Sequence, residues 1–473
     1  MSNFPSRAVP VPAGRLSRAT RLGTMALGVA GNVALRGAAQ LGRGVRPTVQ
    51  ELLLTPANLH RITRELARMR GAAMKLGQLL SMDSSELLPP EMAEIMARLR
   101  GDADFMPPAQ LKSVLTDAWG PDWLRRFKSF GVRPIAAASI GQVHRAVLRD
   151  GRDIAVKVQY PGISRSIDSD VTNVGTLLKM SGLLPRGFEL DPYLTEARAQ
   201  LHEETDYRAE ATHLKRFDGL LAGDPRFALP EVVDDLTTNR VLTMTFQSGM
   251  PIEAASDLAQ AERDRIMHNL LDLVLCELFT FGFMQTDPNF ANYRYDAATG
   301  RIALLDFGAA RVIGPTLAEQ YRSLMRAGLT HDRAALSQGI RTLGLINEDT
   351  AQAHAHAIFG MVTEVFNTVT GREFYDFADT ALSDDLQRRS MALAADGFVP
   401  PPLPIDILFV QRKFAGTFLL AARLKARVNV RGLLDEHLQP STTASTRPHP
   451  HPAPRPSQPR RRSAPSSRKV PGI

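Results

Sequence analysis

Between residues 131 and 160 the spacing of apolar side chains changes, and that change limits the folds open to this chain. Upstream, Leu66, Met69, Ala73, Leu76 and Leu80 recur every three or four residues, the period of a helix with one buried face. Leu88-Pro89-Pro90 interrupts the pattern, and Met92 to Leu99 resumes it. From Gly131 the period shortens. Gly131 to Ile135, Val143 to Leu148 and Ile154 to Val158 read as short strands, the last two joined by the hairpin signal Asp150-Gly151. Residues 191–221 read as one long charged helix, and Val232 and Val241 to Phe246 as further strands. From Leu258 the chain is mostly helical, interrupted at Phe281 to Asn292 and at Ile302 to Gly308. A small β-rich lobe on a larger helical one follows, an α+β chain.

Charge separates the ends from this body. Residues 1–50 hold seven Arg and no acid, and residues 441–473 hold six Arg, one Lys and no acid. The net charge of +8 therefore belongs to the ends, because residues 51–440 hold six more acids than cations. A basic groove for nucleic acid is not expected on the body, and 6% aromatic residues argue against a base-stacking surface. Hydrophobic residues at 44% suffice for a large core. The single Cys276 excludes an intrachain disulfide and a multi-cysteine zinc site, and points to a reducing, cytoplasmic setting. No stretch reaches the ~18 apolar residues of a membrane span. The run from Leu22 to Leu35 follows Arg15, Arg18 and Arg21, but Arg36 and Arg43 stand where a signal-peptide cleavage site would be. It reads as a short helix on an anionic surface or as a frayed basic leader. The Pro-, Ser-, Arg- and His-rich end from Pro440 has almost nothing to bury and is expected to be disordered, with His449 and His451 part of that composition.

Four segments carry residues suited to chemistry. Ala136-Ala137-Ala138-Ser139-Ile140-Gly141-Gln142-Val143 joins two expected strands, and its small residues at 136, 138 and 141 would let backbone N–H groups approach phosphate oxygens. Many Ala-rich turns have this composition without binding anything. Lys157, in Ala155-Val156-Lys157-Val158, places an ammonium inside an apolar strand, which is costly unless it is paired or bound to an anion. The acidic stretch from His202 to Ala211 offers Asp206 and Glu210 one helical turn apart; a solvated acidic face is the plainer reading. The fourth segment is Gln285-Thr286-Asp287-Pro288-Asn289-Phe290-Ala291-Asn292, followed by Leu304-Leu305-Asp306-Phe307-Gly308. An Asp followed five residues later by Asn, then Asp-Phe-Gly at the end of an apolar strand, supplies oxygen ligands for Mg²⁺ and a carboxylate that can orient a hydroxyl or water.

In this order, with Lys75-Leu76-Gly77-Gln78 upstream and Glu204-Thr205-Asp206 on the charged helix, these segments resemble the UbiB/AarF-type atypical kinases associated with ubiquinone (coenzyme Q) biosynthesis. The resemblance covers about residues 50–435 and implies a protein-kinase-like two-lobed fold with a helical N-terminal extension. It divides the chain into a basic leader (1–50), a helical extension (51–128), an N-lobe (129–246), a helical C-lobe (247–438) and a basic tail (439–473). It implies ATP and Mg²⁺ as cofactors. Ala136, Ala137, Ala138, Ser139, Gly141, Val143 and Lys157 would hold the nucleotide; Lys157 would pair with Glu210; Asn292 and Asp306 would hold the metal; and Asp287 would be the catalytic aspartate. Lys75 and Gln78 would meet Glu204 and Asp206 over the site. One departure stands at Thr245, where the family usually has an acid; altered adenine affinity is expected there. His144 and His202 are expected to be structural. Only Ala309 to Gly314 separate Gly308 from the helix expected at Pro315, too little for a peptide-docking platform. This favours a small-molecule kinase or an ATPase over a true protein kinase, with a nucleotide-binding pseudokinase scaffold as the non-enzymatic alternative. A membrane surface on its inner face, lipid-biosynthesis enzymes and a homodimer are the partners implied.

Overall fold

The computed structural model describes residues 71–73, 75–77, 105–138, 140–181, 190–401 and 403–439. The leader, the tail, Gln78 and Ser139 lie outside the described residues.

An antiparallel sheet is built from β1 (Phe127–Phe130), β2 (Ala136–Ala138), β3 (Gly141–Leu148), β4 (Asp153–Gln159) and β6 (Val241–Thr245). Its order is β1-β3-β4-β6, with β2 also paired to β3. The β3–β4 hairpin turns at Asp150-Gly151, where Gly151 takes φ 94° and the Arg152 N–H donates to Asp150 Oδ1 at 3.0 Å. The strand expected over 131–135 does not form; those residues connect β1 to β2 instead. Pro134 has no N–H to give a ladder, so the chain bends there and re-pairs through Ile135 N–H to the Val143 carbonyl at 2.8 Å. Packing against this sheet, α1 (Pro108–Trp119) donates from Trp119 Nε1 to the Leu236 carbonyl at 3.0 Å and contributes to a cluster with Trp123, Phe127 and Phe130.

Three helices follow β4: α2 (Ile163–Ser181), α3 (Asp191–Glu204) and α4 (Tyr207–Leu220). The single helix expected over 191–221 is therefore two. Asp206 is the reason, because its carboxylate caps the N–H groups of Arg208 and Ala209 and starts a new helix there.

The second lobe opens with α5 (Gln260–Cys276), which continues through one π-turn, Glu277–Phe281, and stops at Gly282 in the left-handed region. Two small pairings then build the floor of the cleft. β8 (Phe283–Gln285) pairs antiparallel with β11 (Ala310–Val312), and β9 (Tyr293–Asp296) with β10 (Arg301–Leu304). In a four-stranded sheet β10 also takes β5 (Phe227–Ala228) and β9 takes β7 (Met250–Pro251). Helices α6 (Pro315–Leu329), α7 (Arg333–Thr342), α8 (Gln352–Thr370), α9 (Ala381–Ala395), α10 (Ile405–Leu424) and α11 (Val430–Leu438) complete the lobe. Leu278, Met284, Ile340 and Val410 share a core that anchors β8 against α7 and α10. A sheet lobe above a helical lobe is the kinase-like arrangement expected, and no described helix is long and apolar enough to cross a membrane.

Candidate active site

Lys157 stands at the centre of β4, opposite Val143 on β3 and Leu242 on β6, and is 7% exposed. An ammonium buried there needs counter-charges. Its Nζ donates to Glu210 Oε1 and Oε2 at 2.8 and 2.9 Å and to Asp306 Oδ2 at 3.0 Å, and lies over the Tyr207 ring. Burial opposes its charge, yet the Asp306 and Glu210 carboxylates hold it well above the ordinary lysine range. Burial pushes Glu210 the other way, up to about 7 despite Lys157. Asp306 is also penalised by burial, but Lys157, the Gly308 N–H and Lys75 hold its carboxyl below the usual range.

The Asp-Phe-Gly segment is pinned on both sides. Gly308 N–H donates to Asp306 Oδ1 at 2.9 Å, and Phe307 is buried against Phe217 of α4. Thr286 donates both its N–H and its hydroxyl to the Ala309 carbonyl, which ties the β8 end to the same segment. Asp287 follows. Asn292 Nδ2 reaches its carbonyl and its Oδ2, both at 3.3 Å, while Leu305 N–H donates to the Asn292 carbonyl at 3.0 Å. Ala138, Lys157, Glu204, Tyr207, Asp287 and Asp306 thus line one cleft. Asn292 is buried beside Asp287.

Ala136 and Ala138 form β2, and Ala138 faces Gly141 across a tight turn. Gly141 is needed for its small size: a Cβ there would collide with the Val158 carbonyl and lie 2.9 Å from the Tyr207 hydroxyl. Lys75, in the helical residues 75–77, is 1% exposed and donates to Glu204 Oε1 at 2.6 Å. Of the expected meeting of Lys75 and Gln78 with Glu204 and Asp206, the described residues include the Lys75–Glu204 pair; Asp206 Oδ1 caps the α4 N-terminus, and Gln78 lies outside the described residues. Thr245 is also engaged, its hydroxyl accepting the Glu231 N–H at 2.8 Å.

His144 and His202 are structural. The Gly131 carbonyl accepts from His144 Nδ1–H at 2.7 Å, which leaves Nε2 to accept from Gln142 at 2.8 Å, and burial lowers the ring to about 4. His202 contacts Asp168 at 3.0 Å. Among the described residues Asp272, Cys276 and His437 also have metal-ligand proximity. His437 Nε2 and Asp272 Oδ1 already bond at 2.6 Å, and Arg226 holds the other oxygen at 2.6 Å. This trio docks α11 on α5.

Sequence reasoning missed Arg412, Lys413, Gly416 and Tyr207. Arg412 Nη2 bonds Asp287 Oδ1 at 3.2 Å, and the Tyr207 hydroxyl is buried in the cleft wall with no partner among the described residues. Two cations inside the apolar run Ile407 to Leu420 were the available signal for the α10 pair.

The chain is similar to known proteins over most of its length. Residues 98–339 match the model of the ABC1 atypical kinase-like domain. The mitochondrial atypical kinase COQ8 of Saccharomyces cerevisiae is 38% identical over 431 residues, covering 90% of this chain and 85% of that protein. The mitochondrial atypical kinase COQ8B of Rattus norvegicus is 39% identical over 438 residues, 91% and 82% of the two chains. Among solved structures, an Rv3197–erythromycin complex from Mycobacterium tuberculosis has a TM-score of 0.56 at 25% identity, covering 79% of this chain and 94% of that one.

Proposed function

The chain belongs to the ABC1 atypical kinase-like family, the UbiB/AarF group its motifs resemble, and from that premise we propose that it is an ATP-dependent phosphotransferase or ATPase serving ubiquinone or a related isoprenoid lipid. The observation that carries this reading is the meeting of Lys157, Glu210 and Asp306 above Asp287 in one cleft. In this reading residues 129–246 roof the nucleotide and residues 247–438 hold the reacting end.

The residues present fit ATP and Mg²⁺. Lys157 offers an ammonium already aligned by Glu210, and Ala138 and Gly141 bring backbone close to the phosphates' place. The unpartnered Tyr207 hydroxyl is a buried donor that a bound polar group would satisfy. Asp306 and Asn292 would hold Mg²⁺, which prefers oxygen ligands; Asn292 turns its amide nitrogen to Asp287 and so keeps its oxygen for the cation. Bound ATP with its metal supplies the transferable phosphoryl group and neutralises charge as it develops. Asp287 orients the attacking hydroxyl or water and accepts its proton. Lys75, held by Glu204 at the cleft, excludes bulky acceptors.

Between Gly308 and Pro315 the chain forms only the short strand β11 before α6 begins, which leaves little on which a folded peptide could dock. That favours a small acceptor, or water, over protein phosphorylation. A purely inert nucleotide-binding scaffold does not need Asp287 and Asn292 to be retained beside Asp306. Contact with a membrane face and with lipid-biosynthesis enzymes would use the basic residues 1–50, and a homodimer is compatible with this reading. The test has two arms. Isothermal titration should give Mg²⁺-dependent ATP binding that Asp306→Asn abolishes. A deletion strain should lose quinone, and wild type but not Asp306→Asn should restore it. Equal ATP affinity of the two proteins, or an unchanged quinone pool, would reject the reading.

A further inference from the structure

The loop that carries Asp287 rests on one helix, α10, through three independent contacts. Arg412, 8% exposed, reaches the carboxylate itself, Nη2 to Oδ1 at 3.2 Å. The next residue, Lys413, is 2% exposed and donates to Gln285 Oε1 at 3.0 Å and to the Tyr293 hydroxyl at 3.1 Å, with Glu277 at 3.4 Å as counter-ion. Gln285 passes the contact on, since its amide Nε2 donates to the Asp287 carbonyl at 2.7 Å. One turn further along α10, Gly416 lies under Pro288 so closely that a Cβ would collide with the proline ring. Side chain, main chain and the following proline are therefore set by residues 412, 413 and 416.

Burying an arginine and a lysine in an apolar helix is costly, and stability alone would be served as well by hydrophobic residues of similar volume. Both cations instead point at the β8–β9 loop. Asn292 binds Asp287 Oδ2 from the other side, so the carboxylate is gripped at both oxygens and cannot rotate freely. We propose that Arg412 is a positioning residue for Asp287, and that α10, through Arg412, Lys413 and Gly416, is the platform fixing the orientation in which that carboxylate meets the acceptor. The inference rests on the reading of Asp287 as the catalytic aspartate. Arg412 is not among the residues lining the cleft and reaches it through Asp287. Lysine could keep the charge but has no planar fork to hold one oxygen in a fixed direction.

The test is phosphate release from ATP and Mg²⁺ by the full chain, with affinity read separately by titration. Arg412→Gln should lower turnover about 100-fold while ATP affinity stays within about twofold, because misplacing a catalytic group affects the reacting state and not the bound state. Guanidinium ion added to Arg412→Ala should recover at least about tenfold of the loss, since a merely structural defect would not respond to the missing cation. Turnover within about threefold of wild type, or a fall matched by an equal fall in affinity, would overturn the proposal. Where Arg412→Gln does not fold, Gly416→Ala carries the test: lost turnover at unchanged affinity supports the platform, and unchanged turnover refutes it. Asp287→Asn, run alongside, separates the two layers. If it is inactive while Arg412→Gln is active, positioning alone fails. If it is fully active, the assignment of Asp287 fails and takes this inference with it.

Discussion

Replacing Lys157 by Met keeps most of the side-chain stem and removes the charge. Two carboxylates then lose their shared ammonium: Glu210, 4% exposed, and Asp306, whose side chain is 33% exposed. Removing one partner of a buried ion pair costs about 3–5 kcal/mol when the other charge has no escape. Glu210 has one, because it can take up a proton. Burial already raises it to about 7 with Lys157 in place, and losing the ammonium moves it further in that direction. A carboxyl whose pKa is raised in the folded state favours folding below its unfolded value, and that contribution is lost as pH rises through the folded value. Lys157→Met should therefore be destabilised by about 1 kcal/mol at pH 5.5 and by about 3 kcal/mol at pH 8.5, because above about pH 7 each pH unit adds about 1.4 kcal/mol until Glu210 ionises in the variant too. Lys157→Met/Glu210→Gln removes the stranded charge and should recover more than half of the loss at pH 8.5. Asp306 remains in the double variant, but it is partly hydrated and keeps the Gly308 N–H. Urea unfolding followed by circular dichroism, at both pH values and with constant m, reads these differences. A single variant within about 0.5 kcal/mol of wild type at pH 8.5, or a double variant no more stable than the single, would refute the reasoning.

Other perturbations follow from the same contacts. Gly141→Ala forces a Cβ against the Val158 carbonyl and the Tyr207 hydroxyl, and should cost about 2 kcal/mol and weaken ATP binding; a thermal midpoint equal to wild type would contradict the close approach. Glu204→Ala strands the buried Lys75 ammonium, so amide exchange over residues 71–77 should speed up well beyond the change elsewhere; unchanged protection would mean that this ion pair does not hold the segment. His144 is held neutral, with its pKa lowered to about 4, so its contribution to stability is full above pH 6.5 and is lost as pH falls through 4, up to about 3 kcal/mol. Imidazole nitrogen shifts measured by NMR that titrate near 6.5 would show that the Gln142–His144–Gly131 chain does not form.

Local chemistry made much of this protein legible in its sequence. The change of apolar period marked a sheet lobe before a helical one, because strand and helix bury different residue spacings. Lys157 was conspicuous because an ammonium inside an apolar strand needs a partner, and the Asp287, Asn292 and Asp306 spacing was conspicuous because few other constraints produce it. The helix break at Asp206 was readable in principle, since Asp followed by a helix is a capping signal, but the unbroken run of helix formers masked it. Tertiary structure decided what depends on distance in space and not along the chain. Arg412 lies 125 residues from Asp287 and Lys413 lies 128 from Gln285; only the packing of α10 under the β8–β9 loop makes them neighbours. Lys75 likewise finds Glu204 across 129 residues, while Asp206, two positions on, is drawn into a backbone cap. Residue type and spacing announce which side chains require a partner. Which partner each receives is set by how the helices stack, because burial makes the nearest available opposite charge decisive and no local pattern encodes that distance.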